Sequence, residues 1–293
     1  MAFAQASLKI TNKSYSYITT EHNKKPMMNN LLPLAFMLRD VEQPSKNLCI
    51  PAEATESLTE ALGFDTHLPI RYRTNIVQGL FESLNREAHR LVLEGARPAD
   101  VDSIIEISKS NMGILASNDH YGIDLLFWER IKNRKQHNTD PSYFALGKEL
   151  SILGRYGKKS GRGFYMYENS SKKPDPELSL IAAMLAKETD IIYRPHITEQ
   201  EILERLLTTL IIEGANLIKE FPGVTFQDID HVYSQEFKLP LQHKTPMQSA
   251  TSPGSEFILD KIDHYQHTLG AHGKKWFTCP PLLKNLINLS TKT

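Results

Sequence analysis

The sequence predicts a mainly α protein in which one helical unit is used twice. Two observations carry that prediction. From about residue 75, apolar residues recur at spacings of three and four, the period of an amphipathic helix. Two stretches also match each other: EAHRLVLEGARPADVD (87–102) and EGANLIKEFPGVTFQDID (213–230) align with one two-residue insertion. Glu87 meets Glu213, Leu91 meets Leu217, Glu94 meets Glu220, Asp100 meets Asp228 and Asp102 meets Asp230. A repeat at so long an offset marks a duplicated unit, not a solenoid.

In chain order, the first 70 residues read differently from the rest. Residues 11–30 are polar and amide-rich and read as a loose arm or edge. LPLAFML (32–38) fits a strand or a buried helical turn, ATESLTEALG (54–63) a helix, and HLPIRYR (67–73) a short strand. Ile76, Leu80, Leu84, Ala88, Leu91 and Val92 then line one face of a helix. Gly95 is placed to stop it, and Pro98 to open a second, shorter helix. Thr198 and Glu201 form a capping signal for the second long helix, whose face is Ile202, Leu206, Leu210, Leu217 and Ile218. FPG (221–223) breaks it and FQDIDHVY resumes one. The seam between the two units falls in ENSSKKPDPELS (168–179), which is polar and holds two prolines.

Bulk composition narrows the function. Lys+Arg and Asp+Glu are equal at 34 each, which argues against a dedicated nucleic-acid or membrane-surface binder. Cys49 and Cys279 are the only cysteines, too few for a disulfide scaffold, so a reducing cytoplasm is expected. No run approaches 18 apolar residues, so no membrane span is expected. The first 25 residues show no apolar signal region, and the tail LSTKT is not a peroxisomal address.

The densest motif is GRYGKKSGRGFYMYE (154–168), with four of the chain's 15 glycines beside four basic residues. Its spacing, G-x-x-G-x-x-x-G-x-G, fits neither the phosphate loop nor the dinucleotide turn. A chain bend followed by an aromatic plug, GFYMY, is the structural reading. Lys158, Lys159 and Arg162 are the weak candidates for contact with an anionic ligand; solubilising charge is the alternative. His264 and His267 share a helical spacing, yet no metal site is expected from them. Asp119 reads as a turn residue before an acid catalyst. Asp228, Asp230 and His231 read as the dressing of a helix start. The residues alone show no catalytic set.

LGRYGKKSGRGFYMYE resembles a hallmark of the 3-hydroxyacyl-CoA dehydrogenase family, especially the long fusions with enoyl-CoA hydratase. There, segments of the form LGRxGxKxGxGFYxY join two helical C-terminal domains. The rest follows in order. NREAHRLVLEGARPADVD resembles the family's first C-terminal helix pair. MGILASNDHYGIDL (112–125) is similar to its M-G-P-F-x-x-x-D-x-x-G-x-D segment, with Ile114 in place of proline. ITEQEILERLLTTLIIEGANLI, DIDHVY and LDKIDHYQHTLG resemble the second domain. The resemblance covers residues 64–293.

It implies two C-terminal-type helical domains, 71–168 and 169–293. A small remnant of a Rossmann-like dinucleotide-binding domain, with its N-terminal arm, precedes them over 1–70. It also implies degeneracy. The family's catalytic histidine position falls on Met28, its glutamate on Asp40, and its helix-start asparagine on Gln78, with Asn75 three residues too early. Methionine cannot act as a base, and a general base contributes about 10²–10⁴ in rate. No dinucleotide fingerprint occurs in the chain. The expectation is a β-oxidation protein that is non-catalytic on its own and binds no NAD by itself. It would serve as an acyl-CoA-cleft, dimerisation or assembly module. Lys158, Lys159 and Arg162 are its possible CoA-phosphate contacts. The alternatives are a dehydrogenase subunit completed in trans by an NAD-binding chain, and a decayed reading frame. The implied partners are a second copy or a β-oxidation chain, with no nucleic acid and no membrane.

Overall fold

The computed structural model describes residue 68 and residues 70–107, 112–132, 140–169, 171–194, 196–239, 244–252 and 254–290. The expected remnant over 1–70 lies almost wholly outside the described residues. So do the helix expected at 54–63 and the element at 32–38.

The first helix, α1, spans Ile70–Glu94. The strand expected at 67–73 is therefore not formed from Ile70 onward; IRYR is the first turn of α1. Four alternating residues are too few to hold a strand without a sheet partner. Arg73 is tied down as a helical residue instead, by Gln235 and by Glu236 at 3.2 Å. Ile76, Leu80, Leu84, Ala88 and Leu91 have no exposed surface, as the periodicity predicts. Gly95 ends the helix with φ +118°, its N–H reaching Val92 O, while Ala96 N–H reaches Leu91 O. A Cβ at Gly95 would overlap the Arg194 carbonyl.

Helix α2 (Pro98–Ile104) opens on its proline. Strands β1 (Glu106–Ile107) and β2 (Met112–Gly113) lead into α3 (Ile114–Tyr121) and α4 (Ile123–Lys132). Helix α5 (Ala145–Ile152) follows, then a 3₁₀ turn at Lys158–Ser160. Strands β3 (Tyr165–Glu168) and β4 (Ser171–Pro174) pair as a hairpin, with Tyr165 opposite Pro174 and Glu168 opposite Ser171. The polar seam thus begins as paired strand. Its second half starts α6 (Pro176–Glu188), capped by Asp175, which accepts Glu177 N–H.

Helix α7 spans Glu199–Glu220, with Thr198 accepting Glu201 N–H at its start. Helix α8 (Phe226–Glu236) opens on a reciprocal box of Thr225 and Asp228. Strand β5 (Phe237–Lys238), then α9 (Pro246–Thr251), α10 (Glu256–Thr268), α11 (Gly270–Trp276) and α12 (Pro281–Ser290) complete the described chain.

Helices α1 and α7 pack antiparallel. Arg205 of α7 meets Glu87 of α1, while Leu217 further along α7 meets the earlier Gly79. Each long helix is followed by a short helix and a strand, and those strands pair: β1 lies between β2 and β5, with Ile107 opposite Phe237. Buried apolar residues of both halves form one continuous core.

Candidate functional site

The glycine stretch wraps a carboxylate of its own chain. Asp119 is a fully buried residue of α3, not a turn residue. Its carboxylate accepts Phe164 N–H at 2.8 Å, Tyr165 N–H at 2.9 Å and the Tyr167 hydroxyl at 3.0 Å. A Cβ at Gly157 or Gly163 would overlap Asp119. The glycine spacing therefore admits an internal acid, which takes the Phe164 and Tyr165 N–H groups, while Gly157 and Gly163 N–H donate to the Arg162 and Tyr165 carbonyls. Burial pushes the Asp119 carboxyl up to about 7, against the pull of those donors. Phe164 and Tyr165 are buried, so the aromatic plug forms as expected.

Asp102 does a related job. On α2, it accepts Leu115 and Ala116 N–H at the start of α3, and the Tyr165 hydroxyl at 2.7 Å. Asp230 of α8 accepts Met247 and Gln248 N–H at the start of α9. Both caps serve the next helix rather than their own.

The anion-contact candidates are differently placed. Arg155 of the same stretch is buried against Asp175 and donates to Gly163 O. Lys159 is paired with Asp124 at 2.6 Å, and Arg162 with Glu177 at 3.0 Å. Lys158 is exposed. Gln78 lies on α1, half-buried, and its amide nitrogen has no hydrogen-bond partner among the described residues. Asn75, Gln78, Gly79 and Glu82 form the stripe of α1 that stays partly open between Arg73 and Glu94. Met28 and Asp40 lie outside the described residues.

The chief polar feature was not foreseen. Arg205, with no exposed surface, bonds Glu87 at 2.6 Å and Glu94 at 2.6 and 3.1 Å. Glu94 also holds Arg90 at 2.6 Å and Arg194 at 2.9 Å. Buried His272 of α11 sits between Glu87, 2.9 Å from Nε2, and Asp140, 2.8 Å from Nδ1. Trp276 Nε1 donates to the same Asp140 oxygen as His272. Burial alone would raise the Glu87 carboxyl; Arg205 and His272 outweigh it and hold it at about 2. Glu94 and Asp140 are held well below the usual carboxylate range by the same balance. One sequence signal existed. Glu87 and Glu94 fall beside Leu84, Ala88 and Leu91 on the apolar stripe, and Arg205 falls beside Ile202 and Leu206. Charges on a buried stripe require partners.

Above this network lies a cleft of about 620 Å³, floored by Arg90, Glu94 and Arg194 and walled by Lys261, Tyr265 and Leu269. Arg90 and Arg194 share Glu94, and Lys261 is held by Glu204 at 2.6 Å. Ser142, also on the cleft's lining, donates its hydroxyl to Asp140 at 2.6 Å. Among the described residues no cluster of His, Cys, Asp and Glu could hold a metal, and no helix is long and apolar enough to cross a membrane. His267 pairs with Asp263, and His264 packs against Tyr265.

Residues 76–167 match the family model for the 3-hydroxyacyl-CoA dehydrogenase C-terminal domain. The chain is 29% identical over 215 residues to the peroxisomal bifunctional enzyme of Danio rerio, covering 69% of this chain and 30% of that protein. With the Homo sapiens peroxisomal bifunctional enzyme it shares 32% over 196 residues, covering 61% and 27%. The chain thus spans under a third of these relatives' length. The fold resembles the dehydrogenase part of multifunctional enzyme 1 from C. elegans, with TM-score 0.56, 20% identity, and coverage of 80% of this chain and 52% of that one. It also resembles 3-hydroxybutyryl-CoA dehydrogenase from Escherichia coli K12, with TM-score 0.52, 16% identity, and coverage of 84% and 66%. At these identities the two structures establish the fold alone.

Proposed function

We propose, for a chain whose residues 76–167 match a 3-hydroxyacyl-CoA dehydrogenase C-terminal domain, a scaffolding role in fatty-acid β-oxidation. It presents a wall of an acyl-CoA cleft and an assembly or dimerisation surface, and does not itself perform hydride transfer. The observation that carries this reading is a contrast between intact architecture and committed polar groups. The Asp119 clamp and the Asp102 cap hold the domain together. The cleft's Arg90, Arg194 and Lys261, meanwhile, are paired with Glu94 and Glu204.

That the chain by itself holds no NAD, the family's cofactor, is part of this proposal, and two observations support it. The glycine-rich turn is filled by Asp119, whose carboxylate takes the N–H groups of Phe164 and Tyr165. On the partly open stripe of α1, Gln78 stands where the resemblance implies asparagine. Hydride transfer is therefore assigned to none of these residues. The like placement of Asp102 and Asp230, and the pairing of β1 with β5, support a duplicated unit with its boundary near residue 168.

Calorimetry with NADH and a coupled assay with acetoacetyl-CoA test this reading. The purified chain should bind an acyl-CoA and show no NADH oxidation. NADH-dependent reduction of acetoacetyl-CoA by the chain alone would overturn it. The partly open stripe of α1 favours one second reading, a dehydrogenase subunit completed in trans by a dinucleotide-binding chain. Copurification with such a chain, and turnover on mixing, would decide for it. The compartment is equally open to test by imaging: a cytoplasmic site is the proposal, and the curated relatives are named peroxisomal.

A further inference from the structure

Among the described residues nine large apolar side chains are exposed, and seven of them belong to one face of the molecule. The other two lie elsewhere, Ile192 in the cleft and Phe257 on α10. Single exposed apolar residues are ordinary; seven on one face are not.

Three neighbouring segments build this face. Helix α4 turns Ile123, Leu126 and Arg130 inward and presents Leu125 and Trp128, three residues apart, on its outer side. Helix α5 packs on both α4 and α6. At its end the chain leaves Ile152, Leu153 and Tyr156 exposed. This turn abuts α4, because Tyr156 O accepts Ile123 N–H at 3.3 Å and Lys159 pairs with Asp124. It also abuts α6, because Arg155 bonds Asp175 and Glu177 at that helix's start. Helix α6 buries Leu178, Ala182 and Leu185 and leaves Leu180 and Met184, one turn apart, outside.

Size and charge say what covers the face. The seven residues are 36–68% exposed. At roughly 200 Å² for each large side chain, they leave on the order of 800 Å² of apolar surface. That exceeds the largest patch of a typical monomer, about 300–600 Å², and matches the roughly 800 Å² that each partner gives to a specific interface. Tryptophan, tyrosine and methionine are the residues enriched at interface cores. The rim carries both signs: Lys148, Lys187 and Glu188 are exposed, beside the pairs Lys159–Asp124 and Arg162–Glu177. Such a rim is complementary to itself when turned by a two-fold axis, lysine against acid. A chain with 34 basic and 34 acidic residues does not repel its own copy.

We propose that this face of α4, α6 and the turn between α5 and the glycine stretch docks a second copy of the chain, as a two-fold dimer. The proposal rests on the assembly role given above and supplies its surface and its partner. The two fail separately. A monomer that binds acyl-CoA without oxidising NADH removes the dimer alone, and a dimer that reduces acetoacetyl-CoA removes the scaffolding role alone.

The test is sedimentation velocity of the 293-residue chain from about 0.1 to 100 µM, since interfaces of this size range from micromolar to picomolar. The expected species at the upper end has twice the 33.3 kDa mass of the chain and grows no further. Trp128→Glu and Met184→Glu should each weaken the dimer at least about 30-fold, with circular dichroism unchanged because both side chains are exposed in the monomer. Phe257→Glu, away from the face, should leave the dimer intact. The unaltered chain gives a second readout. Hydroxyl-radical oxidation of Trp128 and Met184 should fall several-fold as the dimer forms, while that of Phe257 stays constant. A monomer across the whole range overturns the proposal, as does association beyond two copies. So does a dimer in which Trp128 and Met184 oxidise as before, or one that Phe257→Glu disrupts as much as Trp128→Glu does.

Discussion

Replacing Arg205 by methionine removes the one cation shared by Glu87 and Glu94 while roughly conserving side-chain volume. All three side chains are at most 3% exposed. Removing one member of a buried ion pair costs about 3–5 kcal/mol, because a charge is left buried without its partner. Two features pull the expectation toward the lower end. Glu87 keeps His272 at 2.9 Å, and Glu94 keeps Arg90 at 2.6 Å and Arg194 at 2.9 Å. Arg205→Met should therefore lose about 3 kcal/mol in urea unfolding followed by circular dichroism, with the slope unchanged. The triple change Arg205→Met, Glu87→Gln, Glu94→Gln should regain all but about 1–2 kcal/mol, since no uncompensated carboxylate remains. The pH profile gives a second readout. Glu87 is held at about 2, below its unfolded value of 4.5. Its contribution is present above pH 4.5 and is lost as pH falls through about 2. Without Arg205 that depression shrinks, so acid unfolding should begin at higher pH. A loss below about 1 kcal/mol, the range of an exposed pair, or an unchanged acid transition would refute the reasoning.

The glycines of the Asp119 clamp should differ in tolerance. Gly163→Ala places a methyl group inside the Asp119 carboxylate and should cost at least about 3 kcal/mol or prevent folding. Gly161→Ala meets nothing nearer than 3.9 Å and bears only the strain of φ +78°, about 1 kcal/mol by thermal melt. The cross-helix caps should behave alike: Asp102→Ala and Asp230→Ala each lose about 1–2 kcal/mol, and the double variant their sum within about 0.5. A cap whose loss leaves the melting temperature unchanged would show that water replaces it without cost.

Legibility followed locality. The C-terminal end of α1 and the start of α2 were readable because Gly95 and Pro98 act through their own backbone torsions. The start of α8 was readable from the FPG break and from Asp228, which closes a box with Thr225 in the fold. The glycine stretch was readable as a bend, because its spacing excluded phosphate motifs. Its purpose was not, because Asp119 lies 38 residues before Gly157 and reaches it only in the folded chain. The strand expected at HLPIRYR fails from Ile70 onward, where the tertiary contacts of Arg73 with α8 hold a helix instead.

By itself the sequence determined the helical class, the match between its two halves and the likeness carried by LGRYGKKSGRGFYMYE. Each of these rests on period, spacing or residue type, which a linear string contains. Only the tertiary structure decided which charges are buried, and with what. Glu87, Arg205 and His272 come from three separate helices, 118 and 185 residues from Glu87 along the chain, and no spacing rule joins them. Gly79 makes the same point. In the sequence it is a weak spot in a helix; in the fold a Cβ there would press on Leu217 and Glu213 of α7.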